Sequence, residues 1–105
     1  MSGFKGTKLA ADKAIKIGSR LEFYPEEAPE GVSSRVEEIK NGKILAAMPM
    51  NEKGGPIIPR PGEAMMGKTP GDGCFYKFST HYLDKAMEGN IPVWIVTMPA
   101  EVQKI

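Results

Sequence analysis

Proline and glycine punctuate this chain at intervals that discourage long helices. Nine Pro and twelve Gly are spread over 105 residues, and both residue types weaken or end helices. Residues 7–15 (TKLAADKAI) form a helix-compatible stretch, with Thr7 as an N-cap candidate. Because so short a helix is unstable unless it packs against other elements, we expect residues 1–14 to be a tail with a short helix at most. Residues 15–105 are expected to form one domain.

Five later segments have the pattern of β-strands. Alternation of apolar and polar residues predicts half-buried strands at 17–24, 32–40 and 73–83. Segments 43–48 and 91–98 are almost wholly apolar, which predicts strands covered on both faces. Short antiparallel strands at this spacing are typical of small barrels. The predicted fold is therefore all-β, a small antiparallel split barrel of five to six strands.

Turn-forming residues join these strands. Asn41-Gly42 favours a tight hairpin, because a type I′ turn needs positive φ at both central positions. Ile39 falls on the face opposite Val36, which indicates a β-bulge or a twist in that strand. Residues 88–90 (EGN) should turn the chain between the last two strands.

The alternation also assigns inner and outer faces. In the first strand, Ile17, Leu21 and Phe23 share one face. In segment 73–83 the residues of one face are Cys74, Tyr76, Phe78, Thr80 and Tyr82.

Charge and cysteine content narrow the function classes. Fourteen basic and thirteen acidic residues leave a net charge of +1, which argues against a nucleic-acid binder, because such proteins usually carry a basic face. Cys74 is the only Cys, so no internal disulfide can form and a reduced, cytoplasmic setting is expected. The sequence has no signal-peptide pattern and no apolar run near the ~20 residues of a membrane span.

The near-neutral balance conceals two oppositely charged segments. The basic one holds five cations against a single Asp: Lys5, Lys8, Lys13, Lys16 and Arg20. The acidic one holds six carboxylates against a single Arg: Glu22, Glu26, Glu27, Glu30, Glu37 and Glu38. Solvated surfaces explain this pattern, and a two-signed surface that docks a partner is the alternative.

The most specific chemical motif is GEAMMGKT at residues 62–69, which fits the nucleotide-binding pattern G-x-x-x-x-G-K-[ST]. That loop works when a strand precedes it and a helix follows, so that backbone amides point at the phosphates. Three prolines precede this match within residues 56–61, and Pro-Gly-Asp-Gly follows it at 70–73. Both sequences disfavour the required elements. The match is therefore interpreted as an accident, and no ATP turnover is expected.

Other residues offer little chemistry. His81 has no Cys or second His at ligand spacing, so a metal site is not expected. Cys74 and His81 are predicted on opposite faces of one strand, so they cannot act together as nucleophile and base. Asp and Glu are scattered without a pair for acid and base roles. We therefore assign no catalytic, cofactor-binding or metal-binding residue and predict that the chain is not an enzyme.

The seven Met residues allow two interpretations. Met is flexible and fills gaps in cores, but it also adapts to partners at docking surfaces. Met48 and Met98 are expected at strand ends as core residues. On the second interpretation we predict a candidate domain-docking surface formed by Met48, Pro49, Met50 and Arg60.

Four motifs, taken in order, make the chain comparable with a known family. They are KIGSRLEF, SRVEEIKNGKILAAMPMNEKGGPIIPRPGE, GCFYKFSTHYL and IPVWIVTMPAEVQKI. In this order they resemble the N-terminal domain of YcgR-type flagellar brake proteins, which are PilZ-containing receptors for the bacterial second messenger cyclic di-GMP. The resemblance covers about residues 15–105 and implies a split barrel. The family usually has a β-rich segment where this chain has AMMGKTPGDG at 64–73; because of that departure, we expect a short, irregular strand at 64–67 and a turn at 69–73.

The resemblance further implies a non-catalytic regulatory domain that helps control motility. The barrel would pack beside a C-terminal PilZ domain, cyclic di-GMP would bind at their junction, and the complex would act on flagellar motor proteins. The family's R-x(3)-R linker and D/N-x-S-x-x-G motif do not occur in this sequence. Cyclic di-GMP is therefore expected only together with those segments, and the chain is either a truncated piece or a stand-alone barrel.

Two further expectations stay open. An exposed barrel edge would invite pairing with a second copy, so a homodimer is one partner arrangement. A flavin-binding split-barrel protein is the alternative function, on fold analogy alone, and a yellow preparation would favour it.

Overall fold

The structure, a computed structural model, describes residues 8–105. Within that range it is almost entirely β-sheet, which confirms the predicted fold class. Its elements are β1 Lys8–Ala10, α1 Ala11–Ala14, β2 Arg20–Tyr24, β3 Val32–Lys40, β4 Lys43–Ala47, β5 Ala64–Pro70, β6 Phe75–Glu88, β7 Ile91–Thr97 and β8 Glu101–Lys104.

Six of these strands close into an antiparallel barrel in the order β6-β5-β2-β3-β4-β7 and back to β6. Closure depends on the length of β6, which has 14 residues. Its first half pairs with β5 from Phe75 to His81, and its second half pairs with β7 from Tyr82 to Glu88. The short strands β8 and β1 extend the sheet beside the start of β6.

Hydrogen bonds between Thr80 and Thr97 lie where the pairing partner on one edge of β6 changes from β8 to β7. The Thr80 hydroxyl donates to the Thr97 carbonyl oxygen at 2.6 Å, and the His81 backbone N–H donates to Thr97 Oγ1 at 3.0 Å. Thr80 is buried, so this bond satisfies a hydroxyl that would otherwise be costly to bury.

The β3–β4 hairpin has the predicted turn. Asn41 and Gly42 have φ values of 53° and 72°, and Lys40 pairs with Lys43 across the two-residue loop. The register of the two strands shifts between Val36 and Glu38, which is the predicted irregularity. A bulge of this kind turns the following side chains over, and Ile39 packs against the core as a result.

Aromatic side chains fill the barrel. The Phe23 and Trp94 ring centroids are 5.4 Å apart, and the Tyr82 ring meets Trp94 nearly edge-on at 5.5 Å. Trp94 is fully buried, and its indole N–H donates to the Ile57 carbonyl oxygen at 2.9 Å. Because Ile57 belongs to the long connection between β4 and β5 and is itself buried, this bond holds that connection against the core.

Several strand predictions need correction. Ile17 lies before β2 and is 63% exposed, so only Leu21 and Phe23 of the predicted inner face are buried. The strand expected at 64–67 runs on to Pro70. It pairs continuously with β6 over all seven residues, so it is neither short nor irregular. β5 is regular because its inner residues pack inside the barrel, an effect that local sequence does not reveal.

The N-terminal region is only partly described. Thr7, the predicted N-cap, lies outside the described residues. Within the predicted helix at 7–15, residues Lys8–Ala10 form β1, which pairs with β8, and only Ala11–Ala14 are helical. Ala11 and Ile15 are buried in the core. The division of the chain at residue 15 stays a prediction.

Tyr82 should make stability fall at high pH. Burial raises the pKa of the Tyr82 phenol above its ordinary value, and the nearby Asp84 carboxylate adds to the shift. Above about pH 10 the unfolded chain releases this proton and the folded chain keeps it, so the free energy of unfolding decreases as pH rises. Urea unfolding at pH 9 and pH 11 should show a smaller decrease in Tyr82→Phe than in the parent. Equal decreases in both proteins would contradict the assignment.

Candidate functional site

Residues 64–69 of the match to a nucleotide-binding loop belong to the barrel strand β5, and residues 62 and 63 precede that strand. β5 lies between β2 and β6, where Lys68 pairs with Glu22 on one side and with Lys77 on the other. Among the described residues the helical segment is Ala11–Ala14, so no helix begins after Thr69. The geometry that directs backbone amides at a phosphate is therefore absent from this part of the chain.

The three residues that complete the motif each have a place in the barrel. Gly67 is buried beneath the Phe78 ring, and a Cβ on Gly67 would overlap that ring. Thr69 is buried, and its hydroxyl donates to the Arg20 carbonyl oxygen at 2.8 Å. Lys68 points outward, with its Nζ 5.3 Å from the centroid of the Tyr24 ring. The sequence GKT thus follows from alternating inner and outer positions on one strand.

The outer surface of β3, β2, β5 and β6 carries the most distinctive group of charges. Arg20 lies directly opposite Arg35, and Lys68 lies directly opposite Lys77. The exposed apolar side chains of Met66 on β5 and Phe75 on β6 lie on the same outer surface. We call this surface the basic face and define it by Arg20, Arg35, Lys68, Lys77, Met66 and Phe75.

The charges of the basic face are only partly neutralised. Arg35 Nη2 lies 3.1 Å from Glu37 Oε2. Among the described residues, Arg20, Lys68 and Lys77 have no ion-pair partner within salt-bridge distance. The Glu22 carboxylate instead accepts a hydrogen bond from the Tyr24 hydroxyl at 2.6 Å.

Lys68 is held in its charged form. The nearby Tyr24 hydroxyl raises the pKa of the Lys68 ammonium above its ordinary value, and the Glu22 carboxylate adds to the shift. Two shallow hollows of about 300 Å³ each adjoin Lys68. One is bordered by Arg20 and Phe75, and the other by Met66 and Lys77.

The docking residues predicted from sequence occupy different environments. Met48 is half-buried against the core, and Pro49 is buried. Met50 is 48% exposed and borders a hollow of about 710 Å³ with the loop before β3 and the first residues of β3. Arg60 is exposed in a separate hollow beside Glu63. The structure does not bring Met50 and Arg60 to one hollow, and the docking role of the four residues stays a prediction.

Cys74 and His81 have no shared site. His81 is exposed on β6, and Cys74, which is a free thiol, lies half-buried before that strand begins. A hydrogen bond with Cys74 raises the pKa of the Tyr76 phenol. The described residues contain no group of three or more His, Cys, Asp or Glu able to hold a metal ion. They also contain no helix long and apolar enough to cross a membrane.

The basic face was missed at the sequence level for a physical reason. Alternation places Arg20, Glu22 and Tyr24 on one face of a strand. It also places the consecutive residues Lys77 and Phe78 on opposite faces of another strand. Alternation does not reveal which strands are neighbours or in what register, and the cross-strand partners of Lys68 follow from both. The outward position of Lys68 was hidden further because Lys68 fell between the predicted strand at 64–67 and the predicted turn at 69–73.

Comparison with known proteins identifies the family. The family model PilZNR, described as flagellar protein YcgR, matches residues 16–99. The chain belongs to this family. The match spans most of the barrel and confirms the resemblance drawn from the four sequence motifs. This PilZNR domain has no match among curated proteins.

A solved structure has the same fold as this PilZNR domain. It is entitled "Structure of Bacillus subtilis Inhibitor of motility (MotI/DgrA)", and it aligns with a TM-score of 0.68 at 21% sequence identity. The alignment covers 87% of this chain and 46% of that one, so the present chain spans about half the length of its structural neighbour. At this identity the likeness concerns the fold.

Gly67 should be intolerant of a side chain. Gly67→Ala would force the Phe78 ring away from β5, and overpacking of this kind costs about 1–3 kcal/mol. Phe78→Leu removes the ring, so adding Gly67→Ala to that variant should cost less than it does in the parent. Urea unfolding of the four proteins measures this coupling. Additive losses would show that Phe78 is not what excludes the side chain.

Thr69 should be structural. Thr69→Val keeps the shape of the side chain but loses the hydrogen bond to the Arg20 carbonyl oxygen, at a cost of about 1–3 kcal/mol. Ser79→Ala, at an exposed position of β6, is the matched control and should change the free energy of unfolding by less than about 0.5 kcal/mol. An equally small loss in Thr69→Val would contradict this role.

Proposed function

We propose that this PilZNR domain is a non-catalytic regulatory domain that helps control flagellar motility as part of a cyclic di-GMP receptor. The observation that carries the proposal is the family match over residues 16–99. The solved structure with the same fold is entitled an inhibitor of motility, and this supports a role in the control of motility. In the described part of the chain the half-buried Cys74 and the exposed His81 do not share a site, which suits a domain that acts by docking.

The ligand would require residues beyond this barrel. Cyclic di-GMP offers phosphates and guanine edges, which planar guanidinium groups bind through paired hydrogen bonds. Arg20, Arg35 and Arg60 are the only arginines of the chain and have no R-x(3)-R spacing. Arg35 is already engaged by Glu37. We therefore propose that the barrel contributes a docking surface, and that a PilZ domain with its arginine linker supplies the ligand contacts.

Three partner arrangements follow from this proposal. The first partner is a PilZ domain in the parent protein, and the second is a protein of the flagellar motor. Met50 and Arg60 are the exposed members of the docking surface predicted from sequence, and they are the first positions to vary in either case. A homodimer is the third arrangement. The cytoplasmic setting expected from the single Cys74 stays a prediction.

The flavin-binding alternative is not favoured. It began from fold analogy, which carries little weight about function because one fold hosts many activities. The family match instead associates this barrel with flagellar proteins.

Calorimetric titration tests the proposed division of labour. We expect no binding of cyclic di-GMP to the 105-residue chain, because its arginines lack the paired arrangement. The same barrel joined to an arginine linker and a PilZ domain should bind. Binding by the 105-residue chain at a Kd near 1 μM, which is about 8 kcal/mol, would overturn the assignment of the ligand contacts to other segments.

A further inference from the structure

We propose that the basic face binds an acidic segment of a protein partner. This inference concerns the outer surface of β3, β2, β5 and β6. It does not depend on cyclic di-GMP or on a PilZ domain, and it would hold for the barrel by itself.

The first argument is the pairing of like charges. Arg20 opposite Arg35 and Lys68 opposite Lys77 are two cation pairs in directly facing positions on adjoining strands. Side chains in such positions have Cβ atoms about 5 Å apart, and like charges there destabilise a sheet. An acidic segment lying between them would relieve both repulsions at once.

The second argument is the incomplete neutralisation inside the chain. Glu37 pairs with Arg35, and Glu22 is engaged by the Tyr24 hydroxyl. Arg20, Lys68 and Lys77 are left without an ion pair among the described residues. The Lys68 Nζ lies 5.3 Å from the centroid of the Tyr24 ring, and Lys68 borders both hollows. Three cations without a salt bridge in residues 8–105 therefore share one sheet surface, where the Glu22 carboxylate faces Lys68 and no carboxylate of β5 or β6 faces Lys77.

The third argument is the apolar surface among these cations. Phe75 is 55% exposed and Met66 is 42% exposed. Phe75 borders the hollow next to Arg20, and Met66 borders the hollow next to Lys77. A partner segment with an apolar residue among its carboxylates would fill a hollow while its charges meet the cations.

The dimensions fit a short extended segment. Neighbouring strands lie about 4.8 Å apart, so the four strands of the basic face span about 14 Å between the first and the last. An extended chain advances about 3.3 Å per residue, so roughly four to five residues cross this surface.

The pattern of charges favours a protein segment over a polyanion. Glu22 and Glu37 lie on the same strands as Arg20 and Arg35, and they would repel the unbroken row of phosphates that a nucleic acid presents. A net charge of +1 is also low for a nucleic-acid binder. Individual carboxylates on a peptide can be placed to avoid Glu22 and Glu37.

Fluorescence anisotropy with a labelled, glutamate-rich peptide that carries one phenylalanine tests the proposal. The parent should bind this peptide, and affinity should fall as salt is raised, because exposed charges are screened. Lys68→Glu/Lys77→Glu should weaken binding by about tenfold or more. Phe75→Ser should weaken binding with little change in the salt dependence.

A matched control separates the basic face from net charge. Lys40→Glu/Lys43→Glu alters another directly facing lysine pair, at the β3–β4 turn, by the same total charge. It should leave peptide affinity within about twofold. Circular dichroism establishes that each variant is folded, and Lys68→Gln/Lys77→Gln replaces the glutamate variant if it is not.

Four results would overturn the proposal. The first is no binding of the peptide at low salt, and the second is equal weakening by both double variants. The third is equal binding of a peptide with glutamine in place of glutamate. The fourth is that another occupant is preferred: single-stranded thymidine oligonucleotides or phosphatidylserine vesicles bind more tightly than the peptide, or the chain self-associates. In each case the interaction would be lost in Lys68→Glu/Lys77→Glu. Those outcomes would assign the basic face to another occupant.

Discussion

The pairing of one long strand with neighbours on both edges holds this barrel together. Over its first half β6 is bonded to β5, and over its second half it is bonded to β7, so the sheet closes on itself through a single strand. Hydrogen bonds from Thr80 and His81 to Thr97 join the sheet between the part of β6 that pairs with β8 and the part that pairs with β7. Closure removes most of the exposed edges that would otherwise pair with other chains, and it creates the interior that Trp94 fills.

The position of β5 explains why a nucleotide-loop motif occurs in a chain with a different architecture. A strand between two aromatic-rich neighbours needs a residue without a side chain where the Phe78 ring approaches, and Gly67 meets that need. The next two residues are then an outward cation and an inward hydroxyl, which are Lys68 and Thr69. Packing and alternation thus reproduce G-K-T without any phosphate.

The same alternation connects the core to the surface where we infer binding. Each inward residue of β2, β5 and β6 fixes the outward direction of its neighbours, so burying Phe23 and Phe78 places charged residues side by side outside. A barrel is rigid in this respect, because shifting one strand by one residue would move its whole apolar set to the surface. The register therefore fixes the strand positions from which the cations of the basic face project.

The sequence by itself determined the class of fold, the Asn41-Gly42 hairpin, the bulge before Ile39 and the buried residues of β6. These features depend on local φ preferences and on a period of two, both of which can be read directly from the chain. The family could also be inferred from ordered motifs, and the match over 16–99 confirms it. Only the tertiary structure decided that 64–70 is one regular strand, that Ile17 is exposed, and that Lys68 faces Lys77. Those facts depend on which strands become neighbours and in what register, and contacts between distant residues set both.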